Sequence, residues 1–204
     1  MSAVSAEQVR ELRDKTGAGM MDCKRALAES SGDVDKAVVY LREKGLAAAA
    51  KRATRAASEG AVASYIHPGG KIGVLIEVNC ETDFVARTPE FQALVKDLAM
   101  QVAAANPRYI RREEVPAEAI AAERSIYQAQ ASGSGKPAAV IDKIVDGKLE
   151  KFFADTCLLE QPFIREPERR VTQVVTDAVA RIGENIVVRR FARFQLGELT
   201  EQSA

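Results

Sequence analysis

Over the first fifty positions, apolar residues recur at helical spacing. Ser5 and Gln8 stand as a capping box, the hydroxyl taking one orphan N–H and the amide reaching back to another, and Val9 and Leu12 then open an apolar face. Gly17 and Gly19 end this helix and open a turn. A second helix carries Met20, Met21, Cys23 and Leu27 and stops at residues 30–33. Asp33 can cap a third, on which Val34, Ala37, Val38 and Leu41 fall at i, i+3, i+4 and i+7. The Ala-rich stretch 47–57, with Lys51, Arg52 and Arg55, extends the third helix or links it to the next element. From Gly60 the period becomes two. Residues 60–66 and 72–78 flank the loop His67-Pro-Gly-Gly-Lys71, whose two glycines suit a five-residue hairpin connection. Ile72, Val74, Ile76 and Val78 mark the buried face, against Gly73, Leu75 and Glu77 on the other.

Thr88 followed by Pro89 is a cap with proline at the first helical position. Phe91, Leu94, Val95, Leu98 and Val102 form the stripe of the helix it starts. Residues 107–116 read as a short extended segment between two prolines. Helices are predicted over 117–130 and 137–160, separated by the flexible break 131–135, and over 168–182, closed by Gly183. Residues 186–196 alternate once more, with Ile186, Val188, Phe194 and Leu196 on one side and Val187 and Phe191 on the other. The expected fold class is α+β. A three-helix bundle over 1–54 precedes a domain over 55–204, in which the terminal strand joins the hairpin as a three-stranded antiparallel sheet with helices on one face. The tail 197–204 is polar and expected to fray.

Composition then removes several function classes. Lys plus Arg and Asp plus Glu both number 29, so the formal charge is zero and no basic stripe argues for direct nucleic-acid contact. No apolar run approaches the roughly 20 residues that span a bilayer. No basic segment followed by an apolar stretch marks a secretory leader, and the expected location is the cytoplasm. Cys23, Cys80, Cys157 and the single His67 lie far apart, so no metal site is expected and the thiols read as reduced and semi-buried. His67 sits in the hairpin loop and Cys80 follows the far end of the second strand, roughly 30 Å away at about 3.3 Å per residue, which excludes a Cys–His pair. Without a Gly-x-x-x-x-Gly-Lys-[Ser/Thr] loop, any nucleotide chemistry belongs to a partner, and no cofactor is expected.

The most informative stretch is Glu77-Val-Asn-Cys-Glu-Thr-Asp-Phe-Val-Ala-Arg87, where the second strand breaks into a turn carrying Thr82, Asp83, Phe84 and Val85. Thr and Asp are turn and cap formers; a Phe between them either folds back into the core or is offered to a partner. From residues alone core packing is the better reading, because single apolar side chains at tips are ordinary. The string resembles the second signature of the translation elongation factor Ts family, the exchange factors of elongation factor Tu. Leu12-Arg-Asp-Lys-Thr-Gly-Ala-Gly-Met-Met-Asp-Cys-Lys-Arg-Ala-Leu27 resembles the first, and Gly135-Lys-Pro followed by residues 143–163 also looks like the family.

The resemblance implies a ubiquitin-associated-like N-terminal bundle and a protein that promotes GDP release from elongation factor Tu without covalent chemistry. It implies that Thr82, Asp83, Phe84 and Val85 disturb the partner's Mg²⁺ site, with Phe84 as a wedge, and that Leu12, Met20, Met21 and Lys24 grip the partner separately. From the residues, Met20 and Met21 either dock or plug the small bundle core. Longer family members have a second half-core; this chain passes from residues 158–163 almost directly to its last helix and strand. That, with two apolar faces on 186–196, leads to the expectation of a homodimer through the sheet, in which a charge at Phe191 would split the pair. A non-catalytic adaptor built on the same bundle is the rival reading.

Overall fold

The structure is a computed structural model that describes residues 4–133 and 137–198; Gly135 and the part of the expected frayed tail from 199 on lie outside the described residues. The chain divides into two compact units. The first comprises the chain up to Ala61 with Val78–Leu94 and Gln173–Val187; the second comprises Val62–Glu77, Val95–Thr172 and the chain from Val188.

In the first unit, α1 (Ala6–Thr16), α2 (Met20–Glu29) and α3 (Val34–Arg52) begin and end where local chemistry places them. Ser5 accepts from Gln8 N, and the Gln8 side chain accepts from Ser5 N at 3.0 Å, completing the box. Asp33 Oδ1 accepts from Lys36 N at 3.0 Å at the head of α3. Leu12, Cys23, Ala26, Leu27 and Ala37 close into a small, fully buried core. That core is thin, and Gly45 of α3 adds a close approach: a Cβ there would lie 3.2 Å from the Ala180 methyl group on α8 (Val171–Ile182).

The sheet follows the order β1 (Glu59–Ile66), β2 (Ile72–Cys80), β5 (Val187–Gln195), antiparallel throughout. Along β2, Val74, Ile76, Val78 and Cys80 are buried and Leu75 is exposed, the alternation of a sheet covered on one face. Gly60 sets how closely the two strands of the hairpin run at this end. At φ +141° its missing side chain leaves room for Val78 O, which a Cβ would approach to 2.2 Å.

The second unit holds most of the remaining helices. After α4 (Asp83–Ala86), α5 (Pro89–Ala105) runs on from its Thr88 cap; α6 (Ala117–Ser132) and α7 (Ala138–Thr156) pair over a core that includes Val115, Val145, Leu149 and Phe153. Three expectations need correcting. The helix expected over 137–160 stops at Thr156, because Cys157 turns extended and bridges Tyr109; a 3-10 turn follows over Leu158–Glu160. The segment 107–116 contains a 3-10 turn at Arg112–Glu114. The helix expected from 168 starts at Val171, since Glu166–Arg170 forms β4 and pairs with β3 (Pro162–Phe163). The buried amide of Gln101 explains the last: its Nε2 donates to Gln161 Oε1 at 3.1 Å and its Oε1 accepts from Ile164 N at 2.8 Å, which pins this ribbon through long-range bonds.

Strand β5 departs from plain alternation. Val188 is buried, yet three residues later Phe191 is half-buried, with Arg193 beyond it donating from Nε to Ala103 O at 3.3 Å. Arg189 and Arg190 between them are both exposed, so the covered positions change parity after Val188. The shift turns Phe194 outward, 64 % exposed, on the side of the exposed Leu75.

Candidate functional site

The chain leaves β2 at Cys80 and turns at Glu81 and Thr82. Thr82 has extended backbone (φ −130°, ψ 153°), and its hydroxyl accepts from Val85 N at 3.4 Å, so it acts as N-cap of the one-turn helix α4. Arg87 N closes the turn on Phe84 O at 3.3 Å. Thr88 Oγ1 then donates to Val85 O at 2.8 Å and accepts from Phe91 N at 3.3 Å, passing the chain into α5. Ala86 is buried and Val85 half-buried, which orients this helix. Phe84 is left outside, 79 % exposed, so the core-packing reading of this side chain is overturned. Asp83 and Arg87 pair at 2.5 Å across the exposed face, a contact worth about 0.3–0.5 kcal/mol in such surroundings.

Beneath the turn sits a set of bonds from a distant segment. One carboxylate oxygen of Glu184 accepts from Glu81 N and Thr82 N, each at 3.0 Å; the other accepts from Thr82 Oγ1 at 2.7 Å. Glu81 reciprocates: its Oε1 accepts from Asn185 N at 2.7 Å, and its other oxygen lies 3.5 Å from Arg55. Asn185 Nδ2 donates to Arg55 O at 2.8 Å. The Cys80 thiol donates to Thr82 O at 3.2 Å; burial first, and Glu184's charge second, push that thiol up, so it stays protonated and suited to donate. Glu184, Asn185 and Arg55 did not emerge from the sequence, where they stand as ordinary surface types after a helix-ending glycine and in a linker.

The residues of the N-terminal bundle divide. Met20 and Met21 are 61 % and 68 % exposed at the start of α2, with Lys24 exposed one turn on. Leu12 is fully buried in the bundle core and has no surface to offer a partner. The hairpin loop keeps His67 against Tyr65 Oη at 3.1 Å. Burial pushes the Cys23 and Cys157 thiols up as well, and all three cysteines are free. Among the described residues no group of three or more His, Cys, Asp or Glu side chains could hold a metal ion, and no helix is long and apolar enough to cross a membrane.

These features describe an α+β protein that exposes an aromatic on a hydrogen-bonded turn and a pair of methionines on a small helical bundle. The family model for elongation factor Ts matches residues 15–198. The chain is 64 % identical over 202 residues to elongation factor Ts of Anaeromyxobacter sp. (strain Fw109-5), covering 99 % of this chain and 92 % of that protein. It is 63 % identical over 195 residues to elongation factor Ts of Heliobacterium modesticaldum, covering 96 % and 91 % of the two. With elongation factor Ts of Caldanaerobacter subterraneus it is 60 % identical over 199 residues, covering 98 % of this chain and all of that one. The chain belongs to the elongation factor Ts family, and so to the elongation stage of protein synthesis.

Proposed function

We propose that this protein binds elongation factor Tu in its GDP form and accelerates GDP release, so that GTP can load. The observation that carries this is Phe84, held 79 % exposed on a short helix whose entry is tied down by Glu184. In GTPases the Mg²⁺ ion bridges phosphate oxygens to protein ligands. A wedge that displaces those ligands leaves the phosphate charge less compensated, and the nucleotide departs faster. The coupling is reciprocal: a factor that binds the nucleotide-free state more tightly weakens nucleotide binding by the same ratio. In this mechanism Thr82 and Asp83 set the turn's start, Phe84 inserts, and Val85 packs beneath it. Met20, Met21 and Lys24 hold the partner at a second place, with Leu12 supporting them from the bundle core. The factor itself makes and breaks no covalent bond and works in the cytoplasm.

A second copy of the chain belongs to this proposal. Val62, Ile66, Leu75, Phe194 and Leu196 are exposed on one face of the sheet in the second unit. Large apolar side chains grouped this way favour a partner surface, and two such faces related by a two-fold axis would cover each other.

Stopped-flow release of fluorescent GDP from elongation factor Tu tests the reading. The wild-type chain is expected to accelerate release strongly. Phe84→Ala is expected to lose most of that acceleration while melting as the wild type does, since truncating so exposed a side chain costs within about 0.5 kcal/mol. Equal acceleration by both proteins would remove the wedge.

A further inference from the structure

We infer that Glu184 is the positioning residue of the exchange turn: it orients the Thr82 hydroxyl and so sets the helix that carries Phe84. The inference rests on the proposed exchange activity and goes beyond it, because Glu184 lies outside both sequence signatures and 102 residues from Thr82.

Three donors converge on its carboxylate, Glu81 N, Thr82 N and Thr82 Oγ1, at 3.0, 3.0 and 2.7 Å. Bonds of this kind to an ionised acceptor are the stronger class, and two of them fix main chain rather than side chain. The third has a directional consequence. Because Thr82 Oγ1 spends its single proton on Glu184, only its lone pairs remain for Val85 N, which it accepts at 3.4 Å. That cap starts α4, and Phe84 lies within it. The return bond, Asn185 N to Glu81 Oε1 at 2.7 Å, makes the tie two-sided, so neither segment can slide along the other without breaking both halves. An aromatic that must push into another protein gains from such a mount: ordering a loose turn during binding would draw on the free energy available to distort the partner.

A mere staple between segments would predict a loss of stability. The hydroxyl relay predicts a more specific defect. In Glu184→Gln one oxygen is kept for the backbone N–H groups, but the amide NH₂ faces Thr82 Oγ1. The hydroxyl must then accept there, so its proton loses its acceptor and the lone pair that caps Val85 N is turned away from the direction it holds in the wild type. Thr82→Val removes this link and the Val85 cap together at nearly constant shape.

The test uses the whole chain with two readouts. Amide hydrogen exchange of the free protein reports the mount without any partner; Val85 and its neighbours in α4 are expected to exchange faster in Glu184→Gln, with the α1–α3 bundle unchanged. GDP release from elongation factor Tu, followed against factor concentration, is expected to show a maximal rate roughly tenfold lower and a half-saturating concentration within about twofold of wild type, because the docking surface on α2 is untouched. Because Thr82→Val already lacks the hydroxyl that Glu184 orients, adding Glu184→Gln to it should lower the maximal rate no further than Thr82→Val alone. Full maximal rate in Glu184→Gln, or an additive double variant, overturns the inference. So does a Glu184→Gln chain that loses its cooperative melting transition while Thr82→Val exchanges GDP at full rate. A wild-type chain that fails to accelerate GDP release, with α4 still loosened in Glu184→Gln, would overturn the exchange reading and leave Glu184 as the mount of a turn with another purpose.

Discussion

Arg181 lies across Gly17: a Cβ at residue 17 would stand 3.0 Å from Arg181 Cδ. Gly17 also ends α1 in the left-handed region at φ +68°, where its N–H reaches Arg13 O at 2.7 Å. The same Arg181 donates from Nε to Glu90 Oε1 at 2.8 Å, so one side chain on α8 touches the first signature and the helix that follows the second. The left-handed backbone conformation favours glycine here, and a Cβ would in addition make Arg181 give way by a few tenths of an ångström. Gly17→Ala is expected to cost about 1–2 kcal/mol, read as a lower urea midpoint at unchanged slope.

If the turn acts through the partner's metal, removing Mg²⁺ should do part of its work. Excess chelator is expected to speed GDP release from free elongation factor Tu and to shrink the further acceleration given by this chain. An undiminished ratio in chelator would place the action on the base or the phosphates instead.

Docking and distortion should separate. Replacing Met20 and Met21 together by Ser removes exposed apolar surface and leaves the bundle core intact, so melting is expected to hold within about 0.5 kcal/mol. The half-saturating concentration for GDP release should rise, while the maximal rate stays near wild type. Unchanged affinity by calorimetric titration would end the docking role of this pair.

The sheet face offers a check on assembly. Phe194→Asp is expected to convert the protein to a species near the 22.1 kDa of one chain by light scattering, with the wild type at about twice that. A charge at Phe191, the position singled out by plain alternation, would instead disturb the covered side of the strand, because the parity of β5 changes after Val188. A wild-type mass of one chain would reject the dimer.

Much of the N-terminal bundle and the hairpin was readable because their signals are local. The Ser5–Gln8 box, Asp33 before α3, Gly17 after α1 and the period-two hairpin each depend on residues within a few positions of one another. Capping, turn chemistry and alternation act at that range, and tertiary packing only had to agree with them. The two signatures likewise carry their identity as strings, so the family was legible before any contact was known.

The features that tertiary structure decided involve partners far apart in the chain. Whether Phe84 turns inward or outward depends on Ala86 being buried and on Glu184 holding Thr82 from 102 residues away, which no local pattern encodes. The start of α8 at Val171 depends on Gln101 fastening residues 161–164, and the outward turn of Phe194 on the irregularity in β5. Such contacts form only when distant segments meet, after the loop-closure entropy has been overcome, and they can outweigh local preferences of a few tenths of a kcal/mol per residue. The sequence by itself therefore determined most of the helices, the hairpin and the family; the β3–β4 ribbon, the bonds that hold the turn carrying Phe84 and the exposed face of the sheet came from how distant segments close on one another.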